Sequence, residues 1–360
     1  MAKDYVDLFA GCGGWEVAAT QLNLQGVGVE FDKSACLTRR AAGFATVEAD
    51  VRTLDPLAPE FASEGLIASP PCQTFSLAGN GSGRRALDTV VEAMDEMLSG
   101  REHAEFEDDR TALVLEPLRW IIARVRSGNP YKWIALEQVP TVLPVWEEYA
   151  EVLRQMGYNV EVGKLSAEEF GVPQTRKRAI LVARLGTEVS LPAATHMRYK
   201  KGTPQDFVTE GLKPWVSMAD ALGATEALRS NYGTGGDPKN RGIRQAEEPA
   251  PTVTSKVDRN KWIPNTAVEG DTSWTSVRPS PTIVGSFAPD VVAAPGWRKA
   301  GDGPRQSQPG SVRVTVVEAG VLQTFPADFP WQGAKGKRYQ QCGNAVPPAL
   351  AKAVLQGVKK

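Results

Sequence analysis

The stretch Val6-Asp7-Leu8-Phe9-Ala10-Gly11-Cys12-Gly13-Gly14 decides the fold class. A short strand, Val6 to Phe9, runs into a glycine-rich turn, and an amphipathic helix is expected from about Trp15 to Leu22. Glycines in such a turn let backbone N–H groups come close to a ligand, and the helix N-terminus behind them favours an anionic group such as a carboxylate. A glycine turn alone is also what an ordinary structural turn looks like. The next two strands add weight: Gly26-Val27-Gly28-Val29 ends at Glu30, and Thr46-Val47-Glu48-Ala49 ends at Asp50. An acidic residue at the end of the second strand grips ribose hydroxyls in doubly wound folds. Singly, Glu30 and Asp50 would read as solvated strand-end charges; in register with the glycine loop they read as a nucleotide-type cofactor site.

A fourth strand carries Leu66-Ile67-Ala68 into Ser69-Pro70-Pro71-Cys72-Gln73-Thr74-Phe75-Ser76. Two prolines fix this loop and present the Cys72 thiol instead of packing it. A thiolate attacks soft carbon centres far better than a hydroxyl, so Cys72 reads as a nucleophile; the bland reading is a loop cysteine without a role. By topology the loop opens at the carboxyl edge of the sheet, beside the cofactor turn. Gly79-Asn80-Gly81-Ser82-Gly83-Arg84-Arg85 reads as a mobile basic loop, either a linker or a segment that closes over a polyanion. Helices are expected near Val90 to Leu98 and Leu113 to Arg126, and Trp133-Ile134-Ala135-Leu136 as a fifth strand ending in Glu137-Gln138-Val139-Pro140. Glu137 is a candidate proton donor in the same crevice as Cys72. A helix over 142–156, a strand over 158–164, then Gln174-Thr175-Arg176-Lys177-Arg178 and the strand Ala179 to Ala183 complete the alternation. The fold class is α/β: a Rossmann-like mixed sheet of about seven strands with helices on both faces.

The 360 residues, 42% hydrophobic and 23% charged, have ordinary globular composition and can hold one large domain or two unequal ones. No run of about twenty apolar residues and no signal-peptide pattern occurs, so a cytoplasmic protein without a membrane partner is expected. Four cysteines (12, 36, 72 and 342) lack the close paired spacing of a zinc site or disulfide framework, and there are only two histidines, so no metal is expected. Proton traffic must then come from carboxylates, water or the thiol. A net charge of -1 carries no global nucleic-acid signal. Locally, acidic residues crowd Asp88 to Asp109, read as a surface insertion, while Lys and Arg recur from Arg229 to Lys261 and from Arg298 to Arg338.

After Gly186 proline, glycine, tryptophan and charge dominate, with one short helix expected at Val216 to Leu222. Glu248-Pro249-Ala250-Pro251-Thr252-Val253-Thr254 and Arg278-Pro279-Ser280-Pro281-Thr282-Ile283-Val284 are near-copies about thirty residues apart, read as two equivalent strand starts. Trp215, Tyr232, Trp262, Trp274 and Trp297 interleave with basic residues, as on a surface that touches bases and phosphates, or else they form a small core. Helices at Val314 to Gln323 and Ala349 to Val358 bracket Gln341-Cys342-Gly343-Asn344-Ala345-Val346-Pro347-Pro348, and the last should pack on the first domain.

In order along the chain, Asp7 to Gly14, Glu30, Asp50, Pro70-Pro71-Cys72-Gln73, Glu137, Gln174 to Arg178, Pro-Thr-Ile/Val and Gly343 to Pro348 resemble the motifs of the DNA (cytosine-5)-methyltransferases of bacterial or phage type. The resemblance implies a catalytic domain over 1–185 that binds S-adenosylmethionine, a target-recognition domain over 186–310, and a segment, 311–360, returning to the catalytic domain. It implies that Phe9 and Phe31 flank the adenine, Glu30 holds the ribose, Asp50 the adenine amino group, and Gly11, Gly13 and Asn344 shape the methionine end. The implied reaction is methyl transfer to carbon 5 of a flipped-out cytosine in double-stranded DNA, by a monomer, with Cys72 adding to carbon 6, Glu137 at ring nitrogen 3, and Arg178 with Arg176 holding the base oxygen or a neighbouring phosphate. The family has asparagine where this chain has Gln138. Three alternatives remain at this stage: an inactive relative that only grips DNA, an RNA-directed enzyme of the same chemistry, and, at the level of fold, a dinucleotide oxidoreductase.

Overall fold

The structure is a computed structural model. It describes residues 3–71, 82–101, 112–200, 209–224, 227–229, 243–255, 257, 260–263 and 312–359. Strand β1 (Lys3–Leu8) passes through the glycine turn into α1 (Gly14–Gln21), then β2 (Gly26–Glu30), α2 (Lys33–Ala41) and β3 (Thr46–Glu48). Then follow β4 (Ser63–Ala68), α3 (Ser82–Leu98), α4 (Glu116–Arg126), β5 (Trp133–Gln138), α5 (Leu143–Gln155), β6 (Tyr158–Ser166) and β7 (Lys177–Leu185). These strands form one seven-stranded sheet in the order β3-β2-β1-β4-β5-β7-β6. β7 runs antiparallel to β5 and β6, and the other pairs are parallel. The chain builds outward from β1 in one direction, then starts again at β4 on its other side. That reversal opens a crevice beyond the carboxyl ends of β1 and β4, where ligands bind in open α/β sheets.

Both faces of the sheet are covered, which is why its strands read as continuous apolar runs. Leu66, Ala68, Ile134 and Leu136 face Met94 of α3, Trp120 of α4 and Trp146 and Tyr149 of α5. On the opposite face lie Ile67, Trp133 and Ala135, under Trp15, Ala18 and Ala19 of α1 and under the C-terminal helix. That helix is the last of four: α6 (Met218–Leu222), α7 (Val316–Leu322), α8 (Lys335–Asn344) and α9 (Pro348–Lys359). Leu350, Val354, Leu355 and Val358 of α9 are fully buried, and at roughly 1.5–3 kcal/mol for each large apolar side chain they hold it firmly to the first sheet. α6 and α7 each begin with a capping box, Ser217 with Asp220 and Thr315 with Glu318.

A second, antiparallel sheet has the order β11-β10-β8-β9, from β8 (Ala227–Arg229), β9 (Ile243–Arg244), β10 (Lys261–Ile263) and β11 (Val312–Arg313). Its core combines Met218, Leu228, Val253 and Trp262 with Leu322, Phe325, Phe329, Trp331 and Cys342. No helix among the described residues is long and apolar enough to cross a membrane.

One open alternative is decided for two tryptophans, and three expectations are corrected. Trp215 and Trp262 are buried and belong to the core, because a small sheet needs large apolar side chains to cover itself; Tyr232, Trp274 and Trp297 lie outside the described residues. Residues 249–254 are an irregular strap with one bridge, Gln174 to Ala250, and start no strand, since their prolines deprive a ladder of donors; the copy at 278–284 lies outside the described residues. Ser82 to Arg85 form the first turn of α3, not a loop, and Val90, Ala93 and Met94 of the supposed acidic insertion are core residues. Residues 79–81 and 102–111 are outside the described residues. α8 was not anticipated: two glycines and three basic residues hide its short buried edge, Tyr339, Gln341 and Cys342.

Candidate active site

Strand register brings the sequence-predicted residues to one edge. Leu8 is paired with Val29 on one side and Ala68 on the other, and Ala68 with Leu136. The residues that follow these four are Phe9, Glu30, Ser69 and Glu137, so the glycine turn, the second-strand carboxylate, the loop leading to Cys72 and the candidate acid all leave the sheet at one level. β7 returns antiparallel with Ala179 opposite Gln138, which puts Arg178 at the same edge. Cys72 itself lies outside the described residues, which end there at Pro71.

At the cofactor turn, Phe9, Gly11 and Gly13 all have left-handed backbones, with φ of 61°, 56° and 107°. Such a conformation in a bulky residue like Phe9 costs energy and is held by its surroundings. A Cβ on Gly13 would strike the Phe44 ring at 2.5 Å, and one on Gly14 the Val346 carbonyl oxygen at 2.3 Å, whereas one on Gly11 would meet nothing. The turn is thus packed from below and open at Gly11. Gly13 offers α1 no side-chain cap, which leaves the helix N-terminal N–H groups for a ligand. Glu30 accepts from the N–H groups of Gly11 (2.7 Å), Phe31 (2.7 Å) and Asp32 (2.6 Å), and a carboxylate has lone pairs left after three such bonds. Phe31 is 73% exposed, an unusual place for an aromatic ring. Asp50 pairs with Arg52 at 2.6 Å; that contact is the main reason its carboxyl sits below the usual range. Asn344 is exposed at the end of α8.

At the reactive side, Glu137 is 5% exposed and its Oε1 meets Arg178 Nε at 2.7 Å. Gln138 follows, and its amide turns back: Nε2 donates to the Pro70 carbonyl, while Oε1 accepts from Val139 N–H at 2.5 Å. The Pro70-Pro71 approach to Cys72 has two further anchors, Ser69 N–H on Leu8 O at 3.2 Å and Trp15 Nε1 on Ser69 Oγ at 3.0 Å. The extra methylene of Gln138 therefore still reaches the loop. Trp15 escaped the sequence reading because its indole partner lies 54 residues away.

Arg176 turns its guanidinium to backbone carbonyls. It is 2% exposed, and its guanidinium donates to the carbonyls of Val253 (2.8 Å), Gly343 (3.0 Å) and Ala345 (3.1 Å).

Beneath the glycine turn lies a buried cluster of which only Asp7 belongs to a quoted motif. Arg39, fully buried, donates to Glu16 at 2.5 Å, to the Ala10 carbonyl at 3.2 Å and to Thr46 Oγ1 at 3.1 Å. Gly28 makes its room, since a Cβ there would sit 1.9 Å from the guanidinium. Asp7, 0% exposed, has no donor among the described residues. Burial, then the neighbouring Glu16 charge, push its carboxyl well above the usual range, against the pull of Arg39; Glu30 adds to the push.

Residues 4–360 match the protein family described as C-5 cytosine-specific DNA methylase. The chain belongs to that family. Among curated relatives, type II methyltransferase M1.HphI of Haemophilus parahaemolyticus is 27% identical, across 100% of this chain and 87% of that protein. M.HgiDI of Herpetosiphon aurantiacus, also a type II methyltransferase, is 25% identical across 96% of this chain and 91% of its own length. In fold the methylase is similar to the Dnmt2 methyltransferase of S. pombe, with TM-score 0.62 at 16% identity, covering 99% of this chain and 98% of that one. The methylase therefore acts on cytosine carbon 5 in DNA, and its methyl donor is S-adenosylmethionine. The open Gly11, the uncapped N-terminus of α1, the Glu30 carboxylate and the exposed Phe31 fit that donor's carboxylate, ribose and adenine.

Two consequences can be measured on the methylase. In Gln138→Ala the Pro70 carbonyl loses its donor, at a cost of about 1–3 kcal/mol, and the approach to Cys72 loosens. The expected result is a kcat lowered by about tenfold or more at unchanged KM for S-adenosylmethionine; equal kcat would remove Gln138 from the positioning of the loop. The raised carboxyl of Asp7 binds its proton more tightly folded than unfolded. Its stabilising contribution is complete below the ordinary aspartate range and declines by about 1.4 kcal/mol per pH unit as pH rises towards the folded pKa. Denaturant unfolding across pH 5–8 should show that decline in the wild type and a flatter curve in Asp7→Asn; parallel curves would contradict it.

Proposed function

We infer that this chain methylates carbon 5 of a cytosine swung out of double-stranded DNA, with Cys72 as the covalent nucleophile. The observation that carries the reading is the single sheet edge at which the cofactor turn, the Pro70-Pro71 approach to Cys72 and the 2.7 Å Glu137–Arg178 pair meet. Gly11, Gly13, the α1 N-terminus and Asn344 would hold the methionine end of S-adenosylmethionine, Glu30 the ribose, Phe9 and Phe31 the adenine faces, and Asp50 the adenine amino group. When bound, S-adenosylmethionine supplies an electrophilic methyl group.

Carbon 5 of cytosine is a poor nucleophile, and the chain's residues must enrich it. The Cys72 thiolate forms a bond to carbon 6, and the displaced ring electrons make carbon 5 enamine-like. Glu137, after taking a proton from water, would stabilise that form by donating it to ring nitrogen 3. In the resting arrangement its Oε1 is occupied by Arg178, so entry of the base would draw Arg178 over to the base oxygen and free Glu137 for the ring. Once carbon 5 carries the methyl, a base or water removes the proton there. The electrons of that C–H bond restore the ring double bond and expel Cys72 as thiolate. A stacked duplex cannot admit these groups to carbon 6, so the base must leave the stack, at a cost of a few kcal/mol.

Residues 1–185 and 311–360 would form the catalytic unit and 186–310 the target-recognition unit. Acting as a monomer in the cytoplasm, beside the nucleoid, the chain would protect DNA as the type II methyltransferases of restriction-modification do. Methyl transfer from labelled S-adenosylmethionine to mixed-sequence duplex DNA, followed by bisulfite sequencing, tests this reading. A protected cytosine in a fixed sequence is expected; label in folded RNA but not in DNA would replace the substrate.

A further inference from the structure

Gln174, Arg176 and Arg178 stand at alternate positions approaching and entering β7, and each reaches a different part of the molecule. Gln174 is fully buried: Nε2 donates to Leu322 O at 2.8 Å and to Gln323 Oε1 at 2.7 Å, and Oε1 accepts from Val253 N–H at 2.9 Å. Arg176 takes the carbonyl of that same Val253, so one residue of the strap between β9 and β10 is held through both of its backbone groups. The other two carbonyls on Arg176, those of Gly343 and Ala345, flank Asn344. Strap and helix end also touch backbone to backbone, since a Cβ on Gly343 would lie 2.0 Å from the Thr254 carbonyl carbon. Thr252 Oγ1 adds a bond to Thr175 O at 2.6 Å. Two residues beyond Arg176, Arg178 holds Glu137.

We propose that Arg176 is a positioning residue that couples cofactor occupancy to capture of the target base, by fixing the strap of the second sheet, the Asn344 end of α8 and the start of β7 as one body. The inference rests on the proposed site, with Asn344 at the cofactor and Arg178 at the base. A buried fork on three carbonyls resists small independent shifts, because each would strand a desolvated acceptor. A cofactor that settles Asn344 thereby settles Arg178 and the strap as well. DNA seated on the second sheet settles the same groups from the other end. Each ligand lowers the ordering cost of the other, and the coupling must be equal in both directions.

The test uses the full chain, S-adenosylhomocysteine as the non-reacting probe, and a short duplex carrying the sequence the wild type is found to methylate. In the wild type, S-adenosylhomocysteine should tighten duplex binding by about tenfold or more. In Arg176→Lys, whose ammonium cannot span three carbonyls, that factor should fall to within about twofold of one, while affinity of the free protein for the probe changes less than about threefold. The coupling factor is read under conditions where circular dichroism shows the variant fully folded, because ligand-driven folding would imitate coupling. Thr252→Val, which removes a single hydroxyl, should give an intermediate factor even if Arg176→Lys folds poorly. Wild-type coupling in either folded variant, or no coupling in the wild type, would overturn the proposal. A wild type that methylates no DNA would instead overturn the proposed function and this inference with it.

Discussion

Replacing Cys72 with alanine will remove methyl transfer, by at least about 10⁴-fold in kcat, and leave S-adenosylmethionine binding within about twofold of the wild type. The size follows from the lack of a substitute. Carbon 5 cannot take a methyl group without prior addition at carbon 6, and the cluster around the site holds carboxylates and guanidinium groups that are poor nucleophiles towards carbon. The selectivity follows from the sheet. The proposed cofactor contacts come from the turn after β1 and the end of β2, while Cys72 follows β4 in sequence. Single-turnover transfer of labelled methyl and equilibrium binding of S-adenosylmethionine measure the two halves separately. Loss of both would mean that the β4 loop supports the cofactor turn, and retention of transfer would remove Cys72 from the chemistry.

Glu137→Gln is expected to lower kcat by about 10²–10³-fold, with little change in cofactor affinity. The amide keeps the volume of a side chain that is 5% exposed, but it cannot pass through a carboxylate form and cannot form the ion pair now made with Arg178 at 2.7 Å. Arg178 would be left without its partner before the base arrives, so part of the loss should appear as weaker duplex binding. Pre-steady-state kinetics with saturating S-adenosylmethionine separates the two. A variant as fast as the wild type would mean that ring nitrogen 3 is served by another group.

The catalytic sheet was legible because its signals are local. Val6 to Gly14 combines a strand, a turn with glycine at two left-handed positions and a helix start in nine consecutive residues, and Glu30 and Asp50 sit where parallel strands must end. Glu137 and Arg178 could be named but not joined, since their contact depends on β7 running antiparallel to β5. The backbone contacts of Arg176 were not legible for a related reason: the carbonyl acceptors lie 77 and more residues away and are backbone groups, which leave no mark in side-chain identity. As a cluster, Asp7, Glu16 and Arg39 were invisible, because a buried charge cluster has no period and its members come from three elements. The second module was read as smaller and loop- and strand-rich, but its strands could not be placed; strands of two or three residues are too short to show alternation.

The opening turn and the Cys72 loop are asserted to serve one covalent reaction, and a duplex in which every cytosine is 5-fluorocytosine tests that most directly. Fluorine at carbon 5 cannot leave as a proton, so after methyl transfer the thiol cannot be expelled and the adduct must accumulate. With S-adenosylmethionine present, the wild type should form a complex that survives denaturation, with the modified peptide containing Cys72, and Cys72→Ala should form none. A wild type that methylates ordinary duplex DNA yet gives no such complex, or one attached at another residue, would contradict the account.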